Sequence, residues 1–322
     1  MKITFDNKNI RYTGRWGLSD ENATATAAGA YFEFAFIGKT AVMHFDLTNT
    51  HNPNSHLYIS VDNSANIEVS LDTFIRVSTN EHRNHIVKVI HKSSIESQNR
   101  WKLPLESKIS LVDIEFDEIG VLPEDKRPII EFIGDSITEG ISIDTHLVTY
   151  SDYVCNCVYM NDSTASYAYL TAQALNLRPA IMGYGCLGIT SEGSGNVPKI
   201  EFSYPYCFED AKKNYIADYI IINHGANDKN SPEDEYIKGY ERLLNIVREN
   251  NPNAKIISLS AFCGAHAKAL GELIKKYNKE KNEEVLFIDS TGWIPVEPAH
   301  PHRDGHELVA SKLSEILKTV IK

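Results

Sequence analysis

Two hydrophobic patterns divide the chain into an amino-terminal and a carboxyl-terminal part. From about residue 10 to residue 117, short runs rich in Tyr, Phe, Val and Ile recur at residues 31–36, 42–45, 57–61, 86–90 and 109–114. Turn-like pairs such as Ile37-Gly38, Asp62-Asn63 and Thr79-Asn80 lie between such runs. Short strands with turn signals at this spacing are typical of an antiparallel sandwich. We therefore predict an antiparallel β-sandwich over residues 1–125.

Beyond residue 128, apolar strand-like runs alternate with amphipathic stretches. The strand-like runs occupy residues 128–133, 220–222, 255–259 and 285–288, and the helical stretches occupy residues 167–175, 233–249 and 266–278 and the segment after residue 306. Ser231 is expected to cap the helix at 233–249. The alternation predicts a three-layer α/β domain with a parallel sheet over residues 126–322, and residues 120–128 are the expected linker.

Ser136 stands where the strand at 128–133 should pass into a helix. Ligands of open α/β sheets bind in the crevice at the carboxyl ends of the strands. The start of a helix there would stabilise developing negative charge, which suits a nucleophile. Alternatively, residues 136–139 read Ser-Ile-Thr-Glu, a capping box in which Ser136 merely starts the helix. The two interpretations are compatible, because a cap residue and a nucleophile can be the same serine.

A serine nucleophile needs a base, and His300 is the candidate among twelve histidines. It lies in a polar segment just before the last helical pattern, so its side chain should reach the carboxyl edge of the sheet. The same segment contains His302, Asp304 and His306, which together with His300 could ligate a metal. A metal site would leave Ser136 unexplained, and Asp304 is more simply a helix cap. We expect no metal.

Acyl transfer also needs donors to the oxyanion. Residues 184–190 contain two glycines, Gly185 and Gly188, which allow a backbone N–H to approach a substrate closely. Asn227 follows the strand at 220–222 and should project its amide into the same crevice. Each signal is weak alone, because glycine turns and Asn-Asp pairs are usually ordinary loop chemistry.

The order of these blocks resembles the SGNH (GDSL-type) hydrolase superfamily: Gly-Asp-Ser, a glycine turn, Gly-x-Asn-Asp and a late His-Pro. The resemblance implies that Ser136 is the nucleophile and His300 the general base, with the Ser136 N–H, the Gly188 N–H and the Asn227 side chain as oxyanion donors. The superfamily usually has Asp three residues before the histidine, and here that position is Glu297. Pro298 restricts Glu297 to an extended backbone, so we expect a Ser-His dyad assisted by a carbonyl, with Glu297 as a possible third member of a triad.

A sandwich followed by an SGNH domain resembles the second carbohydrate esterase family, whose members carry an amino-terminal jelly roll and remove acetyl groups from xylan, mannan or their oligosaccharides. The segments at residues 13–16 and 30–34 are similar to the opening strands of that family. The resemblance implies an O-acetyl esterase that needs no cofactor and acts on acetylated xylo- or manno-oligosaccharides. Trp293, seven residues before His300, is expected to line the sugar pocket as a tryptophan does in related esterases.

Two other functions stay open at this point. A thioesterase or lysophospholipase can share the fold and the nucleophile, because neither fixes the acyl donor. A carbohydrate-binding protein with weak esterase activity is the other alternative, and in that case the sandwich would bind saccharide by itself.

Charge and composition exclude several classes of partner. The formal net charge is -11 and the pI is about 5.6, which argues against nucleic acid and anionic membranes as partners. We find no secretory or transmembrane pattern, and five cysteines are an odd number that fits reduced thiols. We therefore expect a cytoplasmic protein. The sequence does not indicate an oligomeric state.

Overall fold

A computed structural model describes residues 1–145 and 153–321. The amino-terminal strands are β1 (Lys2–Thr4), β2 (Ile10–Thr13), β3 (Gly17–Leu18), β4 (Ala23–Ala25), β5 (Tyr31–Phe45), β6 (His56–Val61), β7 (Ile67–Ser70), β8 (Phe74–Ser93) and β9 (Ile109–Ile119). The later strands are β10 (Ile129–Gly134), β11 (Arg178–Gly183), β12 (Tyr206–Phe208), β13 (Ala211–Lys212), β14 (Tyr219–Asn223), β15 (Lys255–Leu259) and β16 (Leu286–Ile288).

The helices all follow β10. They are α1 (Ser136–Glu139), α2 (Tyr153–Met160), α3 (Tyr167–Ala174), α4 (Ile200–Ser203), α5 (Glu233–Asn250), α6 (Ala267–Lys281) and α7 (Arg303–Leu317), with a 3-10 turn at Ser163–Ala165. Among the described residues, no helix is long and apolar enough to cross a membrane.

Strands β1 to β9 belong to one antiparallel hydrogen-bonded sheet. Its main path runs β3-β4-β9-β5-β8-β6-β7, while β1 pairs with β9 and β2 pairs with β5. Turns expected at Ile37-Gly38 and Thr79-Asn80 are absent, because β5 and β8 each pass straight through these positions. Instead, the register shifts between Gly38 and Thr40, so an irregularity in the ladder replaces the turns. The turn at Asp62-Asn63 is confirmed, with both residues at positive φ.

Aromatic side chains fill the core of this antiparallel part. Alternate residues of β5 point the same way, and its buried phenylalanines pack with residues of β8 and β9 in one cluster. Phe32 and Phe34 stack with ring centroids 6.3 Å apart, and Trp16 meets Phe32 edge to face at 5.9 Å. The amino-terminal part therefore has a hydrophobic core of its own.

The second sheet is parallel, with the order β11-β10-β14-β15-β16. Its strands at β10, β14, β15 and β16 confirm the predicted runs. Strand β11 lies at an edge and is missing from the sequence prediction. It contains Pro179, and a proline argues against a central strand but is tolerated at an edge, where one side of the backbone needs no partner.

Helices cover both faces of the parallel sheet. Ile220 and Ile222 of β14 pack on one side in a cluster with α5 and α6, whereas Ile221 packs on the other side with α3 and α7. This alternation follows from the two-residue period of a strand. The predicted three-layer arrangement is confirmed, and it brings the carboxyl ends of β10 and β14 to one edge.

Two predicted helix caps are wrong. At α5 the N-cap residue is Pro232, and the Ser231 hydroxyl instead meets the Thr190 hydroxyl at 2.6 Å. At α7 the N-cap position is His302, and Asp304 lies within the first turn. An acidic side chain in the first turn still stabilises the helix through the macrodipole.

A buried ion pair joins the two parts of the chain. The guanidinium of Arg15 donates to Glu131 of β10 at 2.8 Å, and both side chains are fully buried. Burial alone would raise the pKa of Glu131, but Lys213 and Arg15 outweigh it and hold the pKa at about 2. A fully buried carboxylate without a cation would be strongly destabilising, so Arg15 helps to stabilise the parallel sheet.

Candidate active site

Ser136 is the first residue of α1, directly after β10 and Asp135. The cap of this helix is Asp135, whose carboxylate accepts a hydrogen bond from the Ile137 N–H at 2.9 Å. The interpretation of Ser136 as the capping residue is therefore wrong. Its hydroxyl is left to face the crevice, and its backbone N–H is at the helix start, where no intrahelical acceptor exists.

His300 lies next to this hydroxyl. Its Nε2 is 2.8 Å from the Ser136 Oγ, although 164 positions separate the two residues along the chain. Burial lowers the pKa of His300 below its usual 6.5, and the negative charge of Glu139 opposes this shift. The neutral imidazole is therefore the favoured form near neutral pH, and it can accept the proton of a serine hydroxyl.

Asn227 reaches the same edge from the segment after β14. Its Nδ2 donates to the Leu187 carbonyl at 3.0 Å. A carboxamide nitrogen carries two hydrogens, so one donor remains for a second acceptor. The neighbouring Asp228 is fully buried and accepts from the Ile189 N–H at 3.1 Å and the Thr190 N–H at 2.7 Å. These bonds fix the Asn227 segment against the glycine turn.

Gly188 lies in that turn, packed against Asp228. A Cβ added to Gly188 would come 2.7 Å from the Asp228 Oδ1, so a larger residue does not fit. Its N–H donates to the Ser191 carbonyl at 3.1 Å. The donor expected to face the crevice is thus already engaged, and it is Cys186, two residues earlier, that lines the cavity.

A cavity of about 310 Å³ opens beside Ser136 and His300. Asn227 and Glu297 also line it, so four of the predicted site residues meet at one place. Sequence reasoning missed the other walls, which include Glu96, Cys186, Phe262, Cys263 and residues 294–296. Residues 294–296 come from the segment before His300, whereas Glu96 comes from the antiparallel part of the chain.

Residues 132–309 match the GDSL-like Lipase/Acylhydrolase family. The chain belongs to this family. The matched segment contains Ser136, Gly188, Asn227 and His300. No curated protein matches the sequence.

Solved structures of family two carbohydrate esterases share the fold of this acylhydrolase. The Clostridium thermocellum enzyme in complex with cellohexaose has a TM-score of 0.78 at 22% identity, covering 97% of this chain and 99% of that one. The Cellvibrio japonicus enzyme has a TM-score of 0.79 at 22% identity, and the match covers 99% of this chain and 97% of that one. An acetyl xylan esterase from Butyrivibrio proteoclasticus has a TM-score of 0.79 at 18% identity, and the match covers 100% of this chain and 99% of that one. The similarity therefore extends over both parts of the chain.

Glu297 does not contact the histidine in this acylhydrolase. Its side chain is exposed, and in the described part of the chain no hydrogen bond joins it to His300. The carboxylate whose charge acts on His300 is Glu139 of α1. The geometry thus offers Glu297 no orienting role in the resting state.

Trp293 does not line the cavity of the acylhydrolase, so that expectation is wrong. Its partly buried ring packs against the apolar cluster beneath α7, and the Lys312 ammonium lies 5.7 Å from the ring centroid. The following residues 294–296 form the cavity wall instead.

The three polar residues that follow His300 in this segment have separate surroundings and do not converge with it on one point. His302 Nε2 meets the Thr145 hydroxyl at 3.0 Å, and His306 accepts from the Tyr167 N–H at 3.0 Å. Asp304 is exposed at the start of α7. This divergence argues against the alternative of a metal-dependent deacetylase.

Proposed function

We propose that this acylhydrolase is a carbohydrate O-acetyl esterase that works through a serine acyl-enzyme. The observation that carries the proposal is the 2.8 Å contact between His300 Nε2 and Ser136 Oγ at the wall of an open cavity. A nucleophile within hydrogen-bond reach of its base is the arrangement that acyl transfer requires.

The proposed reaction has two steps. His300 removes the Ser136 proton as the hydroxyl oxygen attacks the acetyl carbonyl, and the protonated imidazole then gives that proton to the leaving sugar oxygen. Water, activated by His300, attacks the acetyl-serine and releases acetate. We assign no cofactor and no metal to these steps, because the serine and the imidazole carry all the proton transfers.

The oxyanion is proposed to be held by three donors. We assign this role to the Ser136 N–H at the start of α1 and to the second hydrogen of Asn227 Nδ2, because neither has an acceptor that α1 or Leu187 already supplies. The Gly188 N–H would join them by exchanging the Ser191 carbonyl for the oxyanion. Orientation of His300 by a carbonyl, with no carboxylate partner from Glu297, completes the proposed dyad.

Acetylated xylo- or manno-oligosaccharides are the proposed substrates. The solved neighbours include an esterase with bound cellohexaose and an acetyl xylan esterase. A cavity of about 310 Å³ is at the small end of the range of ligand pockets, which favours a short acyl group over a lipid chain. A thioesterase or lysophospholipase is the less favoured function.

We further infer two domains, with residues 1–125 as a jelly-roll sandwich and residues 126–322 as the catalytic domain. The support is that β9 ends at Ile119 and β10 begins at Ile129, with no helix or strand between them. A cytoplasmic location stays a prediction, and such an enzyme would meet imported oligosaccharides.

Substrate preference tests the function. The protein is incubated with 4-nitrophenyl acetate, butyrate and a longer ester, and then with acetylated xylo- and manno-oligosaccharides. We expect a preference for acetate and release of acetate from the oligosaccharides, both abolished in Ser136→Ala. A preference for long esters would support the lipase-like alternative, and hydrolysis of none would support a binding protein.

A further inference from the structure

The antiparallel part of the chain places a carboxylate in the catalytic cavity. Glu96 lies in the connection between β8 and β9, far from the family blocks in sequence, yet it lines the same cavity as Ser136 and His300. Its side chain is partly buried. One wall of the site is therefore formed outside residues 126–322.

The glycine turn makes room for this carboxylate. A Cβ added to Gly185 would collide with Glu96 Oε2, so the absence of a side chain at Gly185 allows the close approach. The Gly185 N–H donates to Glu139 at 2.9 Å and leaves Glu96 without that bond.

A buried ion pair fixes the connection that carries Glu96. Arg100, four residues further on, is fully buried and pairs with Glu139, which is in the same helix as Ser136. The backbone N–H of Arg100 donates to the Gly195 carbonyl at 2.9 Å, and the Arg100 guanidinium lies 4.9 Å from the Tyr184 ring centroid. The position of Glu96 is thus tied to that of the nucleophile.

Glu96 has unused hydrogen-bonding capacity. Within residues 1–145 and 153–321, no hydrogen bond to its carboxylate is formed. An ionised carboxylate is an acceptor with about four lone-pair sites, and a partly buried one gains from O–H donors. A sugar supplies several hydroxyl donors beside its ester, whereas a fatty acyl chain supplies none.

We propose that Glu96 is a specificity-determining residue that accepts hydrogen bonds from hydroxyl groups of the sugar bearing the acetyl ester. This inference rests on the proposed function and names the wall that recognises the leaving group. The antiparallel part is then a component of the substrate site, and its role is more than that of a separate binding module.

The test compares two substrates in the full-length protein. 4-Nitrophenyl acetate has no hydroxyl to offer, whereas an acetylated xylo-oligosaccharide has several. For Glu96→Ala, we expect the ratio of kcat/KM for the oligosaccharide to kcat/KM for the nitrophenyl ester to fall at least about tenfold, the effect of losing a hydrogen bond to a charged group. Glu96→Gln keeps a carbonyl acceptor and should lose less.

Glu192→Ala is the matched control, because Glu192 is an exposed carboxylate that does not line the cavity. It should keep the wild-type ratio. An unchanged ratio in both Glu96 variants would overturn the inference, whether kcat/KM stays at the wild-type value or falls equally on the two substrates. Wild-type protein that cleaves the nitrophenyl ester but no acetylated oligosaccharide would overturn the proposed function itself, and the inference with it.

Discussion

The imidazole of His300 is partly buried beside Ser136, and this burial sets the pH range of the proposed reaction. A general base must be neutral, and burial lowers the His300 pKa below 6.5 while the Glu139 charge opposes the shift. The active form is therefore present above that lowered pKa and lost below it. We predict that kcat/KM for 4-nitrophenyl acetate rises with pH and reaches half its plateau below pH 6.5. A midpoint above 6.5 would contradict this assignment.

Asn227 is the proposed oxyanion donor whose side chain a substitution can remove. We predict that Asn227→Ala lowers kcat by about a hundredfold or more, because a preorganised donor to the oxyanion is lost. Steady-state kinetics with 4-nitrophenyl acetate measures it. Asn230→Ala, at an exposed position three residues away, is the control and should behave as wild type. Near-normal turnover of the Asn227 variant would exclude it from the oxyanion hole.

A substitution of Glu297 distinguishes a Ser-His dyad from a triad that includes Glu297. Its exposed side chain makes no hydrogen bond to His300 in the described structure, so we predict a loss of less than about a hundredfold in kcat for Glu297→Ala. Removal of a true triad acid would cost roughly 10⁴-fold. A loss in that higher range, measured on the same substrate, would show that Glu297 moves onto the imidazole during the reaction.

At the residue scale, the sequence predicted the meeting of Ser136, Asn227 and His300. Each follows or precedes an element whose period is visible, and parallel strands bring their carboxyl ends together. The position of Glu96 in the cavity could not be predicted, because no local sequence pattern identifies a loop carboxylate that packs against a distant glycine. The prediction for Trp293 was wrong for a different reason. The loop was located correctly, but loop side chains have no period that indicates their direction.

Among the elements, α1 carries a buried charge that its own sequence does not balance. Glu139 depends on Arg100 from the β8–β9 connection. We predict that Arg100→Met lowers the free energy of unfolding by about 3–5 kcal/mol, because a buried carboxylate loses its cation. Adding Glu139→Gln should restore most of this loss, since the amide oxygen can still accept from the Gly185 N–H.

Urea unfolding of the single and double variants measures this coupling, with the change read from the midpoint at constant m. Arg76→Met is the control, because Arg76 is exposed and should change the stability little. A double variant as unstable as Arg100→Met alone would show that the packing of Arg100, and not its charge, stabilises α1.

The elements also show where periodicity misleads. The helices α3, α5 and α6 and the strands β14 to β16 were predicted within a few residues, because amphipathic and apolar runs have distinct periods. Strand β11, which contains Pro179, was not predicted, and β5 was divided in two at Gly38. In both cases a residue that usually interrupts a strand is accommodated, by an edge position or by a register shift.

At the scale of the whole molecule, two buried ion pairs among the described residues connect the antiparallel part to strand β10 and helix α1. Arg15 pairs with Glu131 and Arg100 pairs with Glu139. We predict that the full-length protein unfolds in a single thermal transition, and that residues 126–322 alone do not fold, because Glu139 would be buried without Arg100 and Glu131 would keep only Lys213 of its two cations. Near-UV circular dichroism during heating checks both statements. A cooperative transition in the isolated fragment would contradict the second.

The order of the two parts could be predicted from the sequence, but their dependence on each other could not. The change from short aromatic runs to alternating strands and helices is visible along the chain. Arg15 and Arg100, in contrast, look like any other arginine until the fold buries them, since a partner more than a hundred positions away for Arg15 has no local signature.

The placement of Arg15 and Arg100 limits how this enzyme can be recombined. A homologous segment that replaces its first 125 residues would need a cation at both matching positions, because Glu131 and Glu139 stay buried in the rest of the chain. A designer who wishes to alter selectivity should therefore graft short surface loops and keep the original framework, because both buried carboxylates then keep their arginine partners.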